Sequence, residues 1–144
     1  MTEKEEKLQK LYLKFQILDQ QIKQLEKQSA ALNNHLMELM VTNQSLDDIK
    51  KTDEKTEILV PLSSGIYAKA ELKDNKSFIV NVGSDTALVK DIDSTKKMIE
   101  DQIAEIKKLQ ENLVDQLQNQ TTKAVSLEQE INKIASSIQN KENK

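Results

Sequence analysis

The stretch "ILVPLSSGIYAKAELKDNKSFIVNVGSDTALVKDI", residues 58–92, decides the fold. It carries the chain's one proline, Pro61, and both of its glycines, Gly65 and Gly83. Ile58, Val60 and Leu62 alternate with other residues until Ser63-Ser64-Gly65 supplies a turn. Ile66, Ala68, Ala70 and Leu72 then face one way, and Tyr67, Lys69 and Glu71 the other. After Lys73-Asp74-Asn75-Lys76, Phe78, Val80 and Val82 alternate with Ile79 and Asn81, and Gly83-Ser84-Asp85 turns the chain into Ala87-Leu88-Val89. A period of two broken by glycine-bearing turns predicts four short strands in two β-hairpins.

Such a segment cannot stand alone. Domains below about 40 residues bury too little surface without a metal, disulfides or oligomerisation. The chain has no cysteine, which excludes disulfides and thiolate metal sites. Unpaired strand edges invite pairing with another chain. Residues 58–92 are therefore expected to assemble with like segments of other subunits. Ile58, Val60, Leu62, Ile66, Ala68, Ala70, Leu72, Phe78, Val80 and Val82 are the candidate assembly residues, the two alanines permitting close approach.

Outward from this segment the period changes. Leu8, Leu11, Phe15, Leu18, Ile22, Leu25, Ser29, Leu32, Leu36, Leu39, Asn43 and Leu46 follow steps of three and four without a slip. After the strands, Ile99, Ile103, Ile106, Gln110, Leu113, Leu117, Gln120, Ala124, Leu127, Ile131, Ile134 and Ile138 do the same. Sustained heptads argue for a coiled coil. Ser29, Asn43, Gln110 and Gln120 are polar layers that weaken packing but can fix register. Each helix runs to about 45 residues, or roughly 65–70 Å at 1.5 Å per residue. Equal lengths favour an antiparallel hairpin, with paired residues whose numbers sum to about 142, such as Leu8 with Ile134, Phe15 with Leu127 and Leu39 with Ile103. Lys50 and Lys51 suit the end of the first helix, and Asp93 or Ser94 an N-cap for the second. The expected divisions are 1–51 for the first coiled-coil helix, 52–57 for a linker, 58–92 for the double hairpin, and 93–144 for the second helix with a short polar tail.

Composition narrows the function. The net charge is −3, and every basic residue is lysine, so the forked arginine donor that reads guanine edges is missing. No nucleic-acid partner is expected. No apolar run reaches the roughly 18 residues that a membrane span requires, so no membrane partner is expected and a cytoplasmic location is the default. There is no glycine-rich phosphate cradle, and nothing combines a nucleophile with a base. His35, the single histidine, reads as a solvated or packed imidazole, and Glu5-Glu6 and Asp47-Asp48 as solvated helix faces. No enzyme activity, metal or cofactor is expected.

The order of a long helix, "ILVPLSSGIYAKAEL", "FIVNVGSDTALVKDID" and a second long helix resembles the α-class subunit of archaeal prefoldin. The likeness rests on Val60-Pro61-Leu62, Val82-Gly83 and the small residues Ala68 and Ala70, and it spans essentially the whole chain. It implies a mainly α fold in which the hairpins join into a β-barrel platform. It further implies a hexamer of two α-class with four β-class subunits, whose coiled coils capture unfolded client proteins without ATP and deliver them to a group II chaperonin. Two other readings stand beside it: a coiled-coil scaffold or tether oligomerised by its β segment, and a filament-forming relative of the same family.

Capture needs apolar side chains that the seam leaves free, at the ends remote from the platform. Leu8, Leu11, Phe15, Ile131, Ile134 and Ile138 fill the seam there and become available if its last heptad frays. Tyr12, Leu13 and Ile17 lie off the seam and form the densest such cluster in either helix. Met37, Met40 and Val41 are also off the seam, where packing against the platform is the expected role.

Overall fold

A computed structural model describes residues 2–142. The first residue of the amino-terminal helix segment and the last two of the polar tail lie outside these described residues. The element order is α1 (Glu3–Lys50), β1 (Glu57–Ser63), β2 (Ile66–Glu71), β3 (Ser77–Asn81), β4 (Ala87–Asp91) and α2 (Ile92–Glu142). This is the mainly α chain with two small β-hairpins that the sequence predicts. Two compact units are present: one comprises His35–Lys107, and the other the coiled coil formed by the chain on either side.

The terminal coiled coil begins at a reciprocal cap. The Glu5 backbone amide donates to Thr2 Oγ1 at 3.2 Å, while the Thr2 amide donates to the Glu5 carboxylate at 3.0 Å. Two donors that a helix start leaves orphaned are thereby satisfied. The helices run antiparallel: Lys4 Nζ donates to Ser137 Oγ at 2.8 Å, and Lys7 pairs with Glu130 at 3.7 Å. Leu11, Leu18 and Ile131 are buried, and every other seam position of this unit is half-buried. Residue numbers across the two contacts sum to 141 and 137, against the expected 142.

In the His35–Lys107 unit, Leu39, Leu46 and Ile99 form a buried cluster, against which Phe78, Met98, Ile103 and Ile106 pack. Phe78 therefore ties the second hairpin to the helices. Lys96 bonds Asp47, and Lys50 lies 3.9 Å from Asp93; both pairs sum to 143. Asn75 Nδ2 donates to the Thr52 carbonyl at 3.0 Å, fastening the connection between the hairpins to the end of α1.

Each hairpin is its own two-stranded sheet, β1 with β2 and β3 with β4, both antiparallel. At the first turn, Ser64 and Gly65 have φ of 51° and 79°, the two consecutive positive values of a type I′ turn. At the second turn the Asn81 side-chain oxygen accepts from the Gly83 amide at 3.0 Å, and the Val82 amide donates to the Thr86 carbonyl at 3.0 Å.

Two local expectations need correction. Pairing steps from Pro61↔Tyr67 to Ser63↔Ile66, so Leu62 is a bulge residue and leaves the alternation of Ile58 and Val60. The second helix starts earlier than a cap at Asp93 or Ser94 would require. The ladder continues one step past β4, where the Ile92 amide donates to the Lys76 carbonyl at 3.0 Å. Ile92 is at once the last ladder residue and the first helical one, and Thr95 Oγ1 donates to the Asp91 carbonyl at 2.7 Å. Asp93 and Ser94 thus fall inside the first turn.

Candidate functional site

Two surfaces expose what a soluble strand or helix normally hides. The first is on the terminal coiled coil. Tyr12, Leu13 and Ile17 stand 49%, 59% and 50% exposed, the first two directly after the buried Leu11 and the third directly before the buried Leu18. Their exposure follows from the heptad, since a helix with one apolar stripe has room on the seam for only two positions in seven. Of the other sequence-predicted residues here, Leu11 and Ile131 are buried, and Leu8, Phe15, Ile134 and Ile138 are half-buried. The structure separates the nine candidates into six that the seam holds and three that it leaves free.

Beside Ile17 the two helices flank an open groove of about 500 Å³, with Ile17, Leu18 and Leu127 among its lining and Lys14, Lys123 and Glu130 alongside them. Glu130 is the partner of Lys7.

The second surface is the pair of hairpins. Val60, Leu62, Ile66 and Val82 are exposed, whereas Ile58, Ala68, Ala70, Leu72, Phe78 and Val80 are half-buried. The opposite faces are exposed too: Leu59, Tyr67, Ile79 and Val89 stand 61%, 58%, 80% and 75% open. Ile79 and Val89 are direct cross-strand partners. They lie outside the candidate assembly residues, which in the first three strands follow one phase only. Their signal was present in the branched side chains of the other phase. Isolated two-stranded hairpins are marginal in water, and here only the second is tied to the helical cluster, through Phe78.

Met37, Met40 and Val41 are more than half exposed in the single chain. Leu109, Val114 and Val125 of α2 are also about half exposed and were not singled out by the period, since they fall between seam positions.

Electrostatics shape the scaffold more than any chemistry. The hydrogen bond from Lys96 holds the Asp47 carboxyl below its usual range. Hydrogen bonds from the Ser77 hydroxyl and the Lys76 amide do the same for Asp74 in the link between hairpins. His35 lies 3.9 Å from Glu38 on an exposed turn of α1. Among the described residues no cluster of three or more His, Cys, Asp or Glu could hold a metal ion, and no helix is long and apolar enough to cross a membrane.

Comparison with known proteins decides the family. The prefoldin subunit model matches residues 18–137, which take in both hairpins and most of the coiled coil, with Tyr12, Leu13 and Ile17 ahead of the matched span. The chain belongs to the prefoldin family. Among its prefoldin relatives, the "Prefoldin subunit alpha" of Methanococcus vannielii is 26% identical, covering 93% of this chain and 90% of its own. Those of Thermococcus onnurineus and Pyrococcus horikoshii are 36% and 32% identical, over 73% and 80% of this chain. A filamentous prefoldin from Methanocaldococcus jannaschii, solved by cryo-electron microscopy, has the same fold, with a TM-score of 0.71 at 21% identity. It is matched over 80% of this chain and 95% of its own. Prefoldin is a family of chaperones, not of enzymes, and these likenesses support a prefoldin-type chaperone.

Proposed function

We propose that this chain is one subunit of an oligomeric, ATP-independent chaperone of the cytoplasm that holds non-native proteins on its terminal coiled coil and passes them to a group II chaperonin. One observation carries the reading: Tyr12, Leu13 and Ile17 are half exposed on a helix whose seam is already filled. Their exposed halves offer apolar area to a segment that has lost its own core. Fully burying a Leu or Ile gains about 1.5–3 kcal/mol, and the cost of ordering both partners subtracts from that. One subunit binds weakly, and several acting together raise avidity by roughly 10²–10⁴. Weak contacts that release one at a time suit handover.

In this proposal Ile58, Val60, Leu62, Ile66, Ala68, Ala70, Leu72, Phe78, Val80 and Val82 join the hairpins of neighbouring subunits. Two copies of this chain with four β-class prefoldin subunits is the assembly proposed. The exposure of several of these residues in the single chain supports it. The filamentous relative motivates a second reading, in which the same hairpins join copies of this chain end to end.

The test is aggregation of a denatured protein diluted into the assembled chaperone, followed by light scattering. Tyr12, Leu13 and Ile17 changed together to Ser are expected to lose most of the suppression while native mass spectrometry returns the unaltered oligomer. Undiminished suppression by the triple variant would put capture elsewhere.

A further inference from the structure

The groove beside Ile17 combines an apolar lining with uncompensated positive charge. Ile17, Leu18 and Leu127 supply the apolar part, and Lys14 of α1 and Lys123 of α2 flank it, one from each helix. The only acidic residue lining the groove, Glu130, has Lys7 as its ion-pair partner. Lys14 and Lys123 have no ion pair among the described residues. Nor does either have Asp or Glu three or four residues away along its own helix, where Lys23 has Asp19. Lysines on such a coiled coil ordinarily face carboxylates; these two face open groove.

We propose that this groove selects, among non-native segments, those in which an apolar side chain is flanked by carboxylates. The apolar side chain rests on Ile17, Leu18 and Leu127, and the neighbouring Asp or Glu meets Lys14 or Lys123. The proposal rests on the client-capture reading above and deepens it by naming the class of segment held. The charge complementarity commits it to an acidic occupant: a basic segment would set its own cations against both lysines. Exposed ion pairs are weak and screened by salt, so each lysine contributes about a two- to fivefold preference at low ionic strength. That size suits a chaperone, because it biases choice without tightening the hold.

The test measures the anisotropy of three fluorescent unstructured peptides that share one apolar centre flanked by Asp, by Ser or by Lys. Each is titrated with the full assembled chaperone at low and at high salt. The expected order of affinity is Asp, then Ser, then Lys, converging as salt rises. Lys14→Glu with Lys123→Glu, at exposed positions that leave the seam intact, is expected to reverse the order and keep the circular dichroism and native mass unchanged. Lys14→Gln with Lys123→Gln is expected to abolish the order without reversing it. Binding of all three peptides with no charge preference, or an order unmoved by the lysine variants, overturns this inference alone. Failure of every peptide to bind overturns the capture reading, and this inference with it.

Discussion

Among the described seam residues, Asn43 buries a side-chain oxygen that finds no hydrogen-bond donor. An unsatisfied buried group of this kind costs about 1–3 kcal/mol. Asn43→Leu is expected to raise the urea midpoint of the chain, and a lowered midpoint would show that the amide is satisfied in solution. The compensating benefit of a polar layer is register. Asp47 works in the opposite sense. Lys96 holds its pKa below the ordinary 3.8, so the folded chain releases this proton more readily than the unfolded one. Its contribution is complete above pH 3.8 and disappears as pH falls through the lowered value. Asp47→Asn is expected to melt below the wild type at pH 7, with the gap closing in acid. A gap that persists at low pH would contradict a charge-based role.

At the scale of elements, the type I′ turn and the helical seam make separate demands. Gly65 has φ +79° with nothing within 4 Å of where a Cβ would stand. Gly65→Ala is thus expected to cost only the backbone penalty, about 1–2 kcal/mol, while Ser64→Asn gains, because Asn-Gly is the favoured type I′ pair. Ile99→Ala, in the cluster with Leu39 and Leu46, is expected to cost about 2–5 kcal/mol. Val125→Ser, on an exposed face, is expected to fall within about 0.5 kcal/mol of the wild type. Denaturant melts are expected to show the largest loss for Ile99→Ala, a smaller one for Gly65→Ala, almost none for Val125→Ser and a gain for Ser64→Asn; a different order would refute this account.

These elements also show what the sequence makes legible. Steps of three and four put each named seam residue where the structure leaves it buried or half-buried, because helical period and burial are one constraint. Alternation located all four strands for the same reason. It missed the bulge at Leu62, which depends on pairing partners as well as phase, and it placed the second cap too late. Ile92 serves strand and helix together, and no local residue preference reports such sharing. Of the candidate site, Tyr12, Leu13 and Ile17 were readable as off-seam residues. The groove with Lys14 and Lys123 was not, since it brings together residues more than a hundred positions apart.

For the whole molecule, the proposed function makes assembly and capture separable. Ile66→Asp with Val80→Asp is expected to dissolve the oligomer and leave helical circular dichroism largely intact, because neither residue lies on the seam. An unchanged native mass would remove the hairpins from the interface. Capture is tested most directly by a photo-crosslinking residue at position 13, compared with one at position 109. Leu13 and Leu109 are both apolar and about half exposed, at 59% and 49%, so exposure alone does not favour either strongly. When a denatured protein is presented to the assembled chaperone, crosslinks are expected at position 13 and to be sparse at 109. Equal crosslinking at both, or none at 13, would mean that the Tyr12, Leu13 and Ile17 cluster is not where this subunit holds its clients.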